Sequence, residues 1–270
     1  MDSRNDTRKR KVAFAPLVVL VVAFSVPWPS WISEGSSRSD GEKLTYALRW
    51  GPVRAGTATL EALGRAEVNG REVLHFLGTI QTDSFAAVIH NVSNTLEGFT
   101  DPVMSRTLLY LRNQEEGGEL NHARVVFDTE KNTATYCKIG HRCRTPIPIR
   151  PDTLDPVSCI FWYRRFSLGG LSETRMHVSD GRTAVWVGVR VVGREQITIP
   201  AGTFAALKVE ATVERGRGIL RREQTTKLLV WFTDNRERLP VMAQGELLLG
   251  PFIAELIDIS RPGPEPLRAG

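Results

Sequence analysis

The sequence predicts a mainly β protein, a large curved antiparallel sheet or half-barrel wrapped around one short apolar helix. Two observations carry this. Most of the chain is a succession of segments that alternate apolar and polar with period two between turn signals, the pattern of half-buried antiparallel strands. One segment breaks that pattern and is apolar almost all round, as a helix buried on several sides must be. At 270 residues, with 41% hydrophobic residues and three cysteines, the chain is long enough to bury a sizeable core without metal or disulfides.

The first element is an address rather than part of the fold. Arg4, Arg8, Lys9, Arg10 and Lys11 precede Val12 to Ile32, a run without charge. Residues 1–33 therefore read as a signal peptide, with Ala23-Phe24-Ser25 as the candidate cleavage site. The alternative is an uncleaved anchor through residues 12 to 32 of the inner membrane, with Trp28 and Trp31 at the interface. Either reading places the remainder in the periplasm or cell envelope. No cysteine follows the run, which argues against a lipid-anchored lipoprotein. Of the net charge of +5, three charges belong to this segment once Asp2 and Asp6 are subtracted. The nearly neutral remainder gives no support to a nucleic-acid partner.

Residues 34–43 form a Ser/Gly-rich linker and 260–270 a Pro/Gly tail that cannot pack, leaving a single β domain over 44–259. Strands are expected near 44–50, 55–67, 72–81, 94–100, 105–112, 120–128, 132–138, 143–148, 174–179, 183–199, 204–214, 225–233, 238–249 and 252–258. Asn69-Gly70 and Asp180-Gly181 mark tight hairpins, because these residues accept positive φ. Ser84 to Ile89 is a short helical candidate. The main helix falls within 152–168, with Asp155 as N-cap and Pro156 at the first helical position. Val157, Ile160 and Phe161, with the row Cys159, Trp162, Tyr163 and Phe166, cover most of its circumference.

The chemistry-bearing motifs of nucleotide-binding proteins, serine hydrolases and zinc proteases are absent. His75, His90, His122, His141 and His177 are scattered and read as strand or turn residues. No catalytic residue, cofactor or metal is expected. The cysteines are more informative. Cys137 and Cys143 lie symmetrically about Gly140, so a hairpin there sets them on neighbouring strands at disulfide spacing. An oxidising compartment would close the pair. Reduced thiols, or a metal held with His141, are the rival readings, the latter short of the four ligands a structural zinc requires. Cys159 reads as an apolar filler of the helix. The stretch Glu214 to Glu223 is rich in arginine and could meet phosphate, but its flanking glutamates suit a solvated hairpin. Phe161, Trp162, Tyr163 and Phe166 are the candidate lining of an apolar ligand pocket, with simple core packing as the alternative.

Several segments together resemble a family of bacterial exported proteins, the domain of unknown function family 3108. They are Leu44-Thr45-Tyr46 with Trp50-Gly51 and Ala55-Gly56, then Asp155-Pro156-Val157-Ser158 running to Tyr163-Arg164. Glu195 with Pro200-Ala201-Gly202-Thr203-Phe204 follows, and Trp231, Asp234 and Leu239-Pro240-Val241 close the series, which spans about 44 to 258. The resemblance implies an extracytoplasmic antiparallel β domain with a helix in its concavity, similar to lipoprotein carriers or lipocalin-like half-barrels, and brings no established activity. Tyr46, Gly56, Asp155, Ser158, Arg164, Glu195, Gly202 and Trp231 are its motif residues, for which structural roles are expected. The expected function is non-catalytic binding of a lipid-like or other apolar ligand. An envelope assembly module acting through protein contacts is the alternative, and a hydrolase with an unrecognised site a more distant one.

Overall fold

The computed structural model describes residues 41–89, 91–165, 173–214, 227–247 and 250–261. The signal or anchor segment, most of the linker, His90, Phe166, the arginine-rich stretch after Glu214 and the tail from 262 lie outside the described residues. Among the described residues, no helix is long and apolar enough to cross a membrane.

Among the described residues, fourteen strands form one antiparallel sheet. The first eight are β1 (Lys43–Trp50), β2 (Val53–Val68), β3 (Arg71–Thr82), β4 (Val92–Thr100), β5 (Thr107–Glu116), β6 (Glu119–Asp128), β7 (Thr133–Lys138) and β8 (Ile147–Pro148). The other six are β9 (Glu173–Ser179), β10 (Ala184–Ile199), β11 (Gly202–Glu214), β12 (Lys227–Thr233), β13 (Pro240–Leu247) and β14 (Gly250–Ser260). Helix α1 (Ser84–Ile89) joins β3 to β4, and α2 (Ser158–Arg165) lies between β8 and β9.

The spatial order is β8-β7-β6-β5-β4-β3-β2-β1-β14-β13-β12-β11-β10-β9. Two sequential meanders, β1 to β8 and β9 to β14, are thus joined where the first strand pairs with the last. This topology has a consequence for α2. The end of one meander and the start of the next stand at opposite edges of the sheet, so the chain between β8 and β9 must cross from edge to edge.

The sheet curls until its two halves meet without closing a hydrogen-bonded barrel. On the crossing segment, Leu154 forms a parallel bridge with Val178 of β9, while Thr107 of β5 donates its amide to Thr153 O at 3.0 Å. Elsewhere the seam is joined by side chains. Arg112 of β5 pairs with Asp180 in the β9–β10 turn at 3.3 Å, and Arg182 lies 4.4 Å from the Tyr136 ring of β7.

Three cores follow from this curl. One is built on β9 to β12 around Met176, Val187, Val209 and Val230, and a second on β3 to β7 around Phe76, Tyr110, Val125 and Tyr136. The third joins Leu44, Tyr46, Ile199, Trp231, Val241 and Leu256. It forms because the far end of the long β10–β11 hairpin reaches β14, where Ala201 N–H donates to Leu256 O at 3.1 Å.

The predicted strands match the observed ones closely, but Glu42, Lys43, Ser260 and Arg261, expected in the linker and tail, belong to the fold, because Lys43 pairs with Ser260 and Glu42 with Arg261, and one strand is shortened. The segment expected at 143–148 shrinks to two residues, since Pro146 and Pro148 cannot donate to a ladder. It still covers the outer edge of β7, where Arg144 N–H donates to Tyr136 O at 2.8 Å. The two hairpin signals also differ in use. Asn69 and Gly70 have φ of 52° and 76°, as a primed turn requires. In the other turn only Gly181 has positive φ, at 78°, and the Asp180 carboxylate instead accepts the amides of Arg182 and Thr183.

Candidate functional site

Helix α2 is fixed at its start by Asp155. Oδ1 accepts the amides of Val157 and Ser158 at 2.8 and 2.9 Å, satisfying donors that a helix N-terminus otherwise leaves open. Oδ2 accepts the Thr107 hydroxyl at 2.7 Å, and the Asp155 amide donates back to that same hydroxyl at 2.8 Å. The cap is therefore welded to β5. Burial raises the Asp155 carboxyl above the ordinary carboxylate range, with the hydrogen bonds from Ser158, Thr107 and Val157 opposing it. Gly98 of β4 makes the approach possible, because a Cβ there would stand 2.6 Å from both Asp155 carboxylate oxygens and closer still to Ser158 Oγ.

The other end of α2 is held by charge. Arg164 Nη2 lies 2.6 Å from Glu42 Oε1, and both side chains are buried. Arg261 approaches the second Glu42 oxygen at 3.1 Å and also pairs with Glu237 at 2.9 Å. The helix, the start of β1 and the residue after β14 are thereby tied together. Beside this cluster, the Tyr46 hydroxyl donates to Pro240 O at 2.7 Å. Burial pushes the Tyr46 phenol up, and that of Tyr163 up to about 12.

Between its ends, α2 fills the space where the cores meet. Phe161 stacks on Phe76 with centroids 4.5 Å apart, and Tyr163 tilts against Phe232 at 4.6 Å. Phe161 and Tyr163 are buried as core side chains, and Cys159 is fully buried beside them. Trp162 packs against two cores and Leu60 of β2 against all three, yet both remain only partly buried. Of the four residues expected to line a pocket, Phe161 packs in one core and Tyr163 in another, Trp162 is partly buried between these cores, and Phe166 lies outside the described residues.

The remaining motif residues have structural positions. Gly56 allows β2 to approach the Gln81 carbonyl of β3, where a Cβ would collide. Glu195 accepts the Trp231 indole N–H, which holds its carboxyl below the ordinary range. Lys208 lies 3.5 Å from Glu195 and 5.0 Å from the Trp231 ring. Gly202, with φ 134°, occupies the turn that docks on β14. Cys137 and Cys143 form a disulfide with Cα atoms 4.1 Å apart, pinning the covering segment to the edge strand. Among the described residues no three metal-ligating side chains gather.

A polar strip on the inner face escaped the sequence reading. Asn94, Arg112 and Gln114 share the face of Leu96, Gly98 and Tyr110, because Asn94 pairs with Gln114, Leu96 with Arg112 and Gly98 with Tyr110. All three are buried. Arg112 donates to Gln114 Oε1, and Asn94 Nδ2 donates to Glu116 Oε1 at 2.7 Å. The available signal was the run Tyr110, Arg112, Gln114, Glu116, every second residue of β5, which turns from apolar to polar towards the strand's end.

One solved structure shares this architecture. A β-barrel-like protein of the domain of unknown function DUF1849 from Brucella abortus superposes with a TM-score of 0.54 at 10% identity, covering 82% of this chain and 98% of that one. This shows a shared fold. A protein with a YmcC-like fold from Bacteroides fragilis, classed as exported, gives 0.30 at 11% identity over 90% and 100% of the two chains. A protein from Parabacteroides distasonis classed as a lipoprotein gives 0.35 at 10% identity over 83% and 96%. No curated protein matches the chain. The model of the family described as "Protein of unknown function (DUF3108)" matches residues 45–257, and the chain belongs to that family.

Proposed function

We propose that the protein is a non-catalytic component of the cell envelope that holds an apolar chain inside its curled sheet, beside α2. The observation that carries this reading is the incomplete burial of Leu60 and Trp162. They stand where the cores meet, and there they keep accessible surface. Residues at the junction of three cores are ordinarily the most buried in a domain. Accessible apolar surface at such a place, within a concave sheet, suits an apolar guest. The uncharged run after a basic N-terminus and the Cys137–Cys143 disulfide support an address outside the cytoplasm.

Assembly by strand addition finds less support at the β7–β8 edge. There the covering segment carries Pro146 and Pro148 and is held by the disulfide, a combination that discourages strand pairing.

The test is to isolate the full chain from its native envelope, extract it and analyse the extract by lipid mass spectrometry. In parallel, the delipidated protein is titrated with the apolar fluorophore 1-N-phenylnaphthylamine. A stoichiometric co-purifying lipid, or saturable one-to-one binding of the fluorophore, is expected. Absence of both refutes the reading.

A further inference from the structure

We propose that the inner face of β4 and β5 near the β5–β6 turn is a headgroup subsite that takes a primary ammonium. This rests on the apolar-chain reading above and makes the ligand a cationic or zwitterionic amphiphile.

The subsite is built from acceptors. Asn94 is buried, and because its Nδ2 donates to Glu116 Oε1 at 2.7 Å, the orientation of the amide is settled and Oδ1 is the remaining acceptor. That Oδ1 is buried and has no hydrogen-bond partner. A buried acceptor left unsatisfied is costly, so a ligand donor is favoured at this point. Glu116 supplies the charge. Its Oε1 accepts from Asn94 and, at 3.4 Å, from Gln114 Nε2, and among the described residues no cationic side chain pairs with it.

The one buried cation on the strip is already engaged. Arg112 spends Nε and Nη2 on Gln114 Oε1 and Nη1 on Asp180 Oδ2. Glu115 borders the same turn and adds negative charge at this end, which favours a cation. An ammonium has three donors and no acceptor, which matches an amide oxygen beside a carboxylate. A carboxylate or phosphate headgroup would meet acceptors of its own kind. The strip also continues the apolar face of Leu96 and Tyr110, so tail and headgroup would follow one side of the sheet.

The experiment uses the full delipidated chain and three ten-carbon probes below their micellar concentrations, namely decylammonium, decanol and decanoate. Each displaces 1-N-phenylnaphthylamine, and decylammonium binding is also measured by calorimetry. Decylammonium is expected to bind at least tenfold more tightly than either other probe. Glu116→Gln should reduce that preference to less than threefold, and Glu116→Asp should restore part of it, with the melting temperature of each variant reporting its folding. If Glu116→Gln does not fold, the wild-type probe series decides alone. Equal affinity for the three probes, or a preference for decanoate, overturns the subsite and leaves the apolar-chain reading intact. No binding of fluorophore or decylammonium overturns both.

Discussion

Replacing Gly98 with alanine tests the link between sheet and helix most directly. The new Cβ would lie 2.6 Å from each Asp155 carboxylate oxygen, where an ordinary carbon–oxygen contact needs roughly 3.3 Å. The carboxylate cannot retreat without lengthening its bonds to the Val157 and Ser158 amides and to Thr107. Overpacking costs about 1–3 kcal/mol and a damaged N-cap about 1–2 kcal/mol, so Gly98→Ala should destabilise the protein by about 2–5 kcal/mol. For a domain of this size that lowers the melting temperature by roughly 5–20 °C. The control is Gly78→Ala. A Cβ there meets Val157 Cγ2 at 3.6 Å and Leu60 Cδ2 at 3.7 Å, ordinary contacts, so the change should be neutral within about 1 kcal/mol. Urea and thermal unfolding of the oxidised proteins, followed by circular dichroism, would measure both. Equal losses at the two glycines would refute the reasoning, since only one of them shields a cap.

Further predictions concern charge, pH and the disulfide. Glu42→Gln leaves the buried Arg164 guanidinium without a carboxylate and should cost about 3–5 kcal/mol; Arg164→Met should cost less, because Arg261 still neutralises Glu42 at 3.1 Å, and chemical denaturation of the pair gives the order. Asp155 has a raised folded pKa, so its contribution is fully present below the unfolded value of about 4 and is lost as pH rises through the folded value. Asp155→Asn should therefore remove a downward slope of stability above about pH 4, and parallel slopes in the two proteins would refute that assignment. Reducing Cys137–Cys143 should cost about 2 kcal/mol for so short a loop, readable as a lower urea midpoint of the reduced protein.

The strands were legible because period two survives in nearly all of them. In β6, Ala123, Val125 and Phe127 are buried while His122, Arg124 and Val126 are exposed. Helix α2 was legible from Asp155-Pro156, a local capping signal with a local effect. The joining of β1 to β14 was not, because Tyr46 and Leu256 carry no mark of each other. The same holds for Glu42 with Arg164 and for Glu195 with Trp231, which lies 36 residues away. The motif residues were recognised as a series, and their roles appeared only with the contacts. The inner polar strip was hidden for another reason. Arg112 and Gln114 look like outward residues until the pairing of Gly98 with Tyr110 shows which face of β5 looks inward.

The topology explains why an interior helix belongs to this sheet. A meander that returned β8 directly to β9 as a neighbour would need no crossing, and the sheet would have different edges. Here the crossing segment begins at the outer edge of β7, passes Thr107, bridges Val178 at Leu154 and then enters the interior as α2. The elements that seal the seam and the helix that fills the space behind it are consecutive in the chain. A seam joined by the Leu154 bridge, the Thr107–Thr153 hydrogen bond and a few side chains is weaker than a ladder of paired strands. Local opening is therefore expected to begin in the segment from Arg150 to Arg165 before it reaches the sheet and its thirteen neighbour pairings. Cys159 lies at the centre of that segment, fully buried, and the other two cysteines are joined to each other. Its rate of modification by a thiol reagent consequently reports how often α2 leaves the interior. If α2 leaves while the sheet persists, that rate will depend far less on urea than global unfolding does.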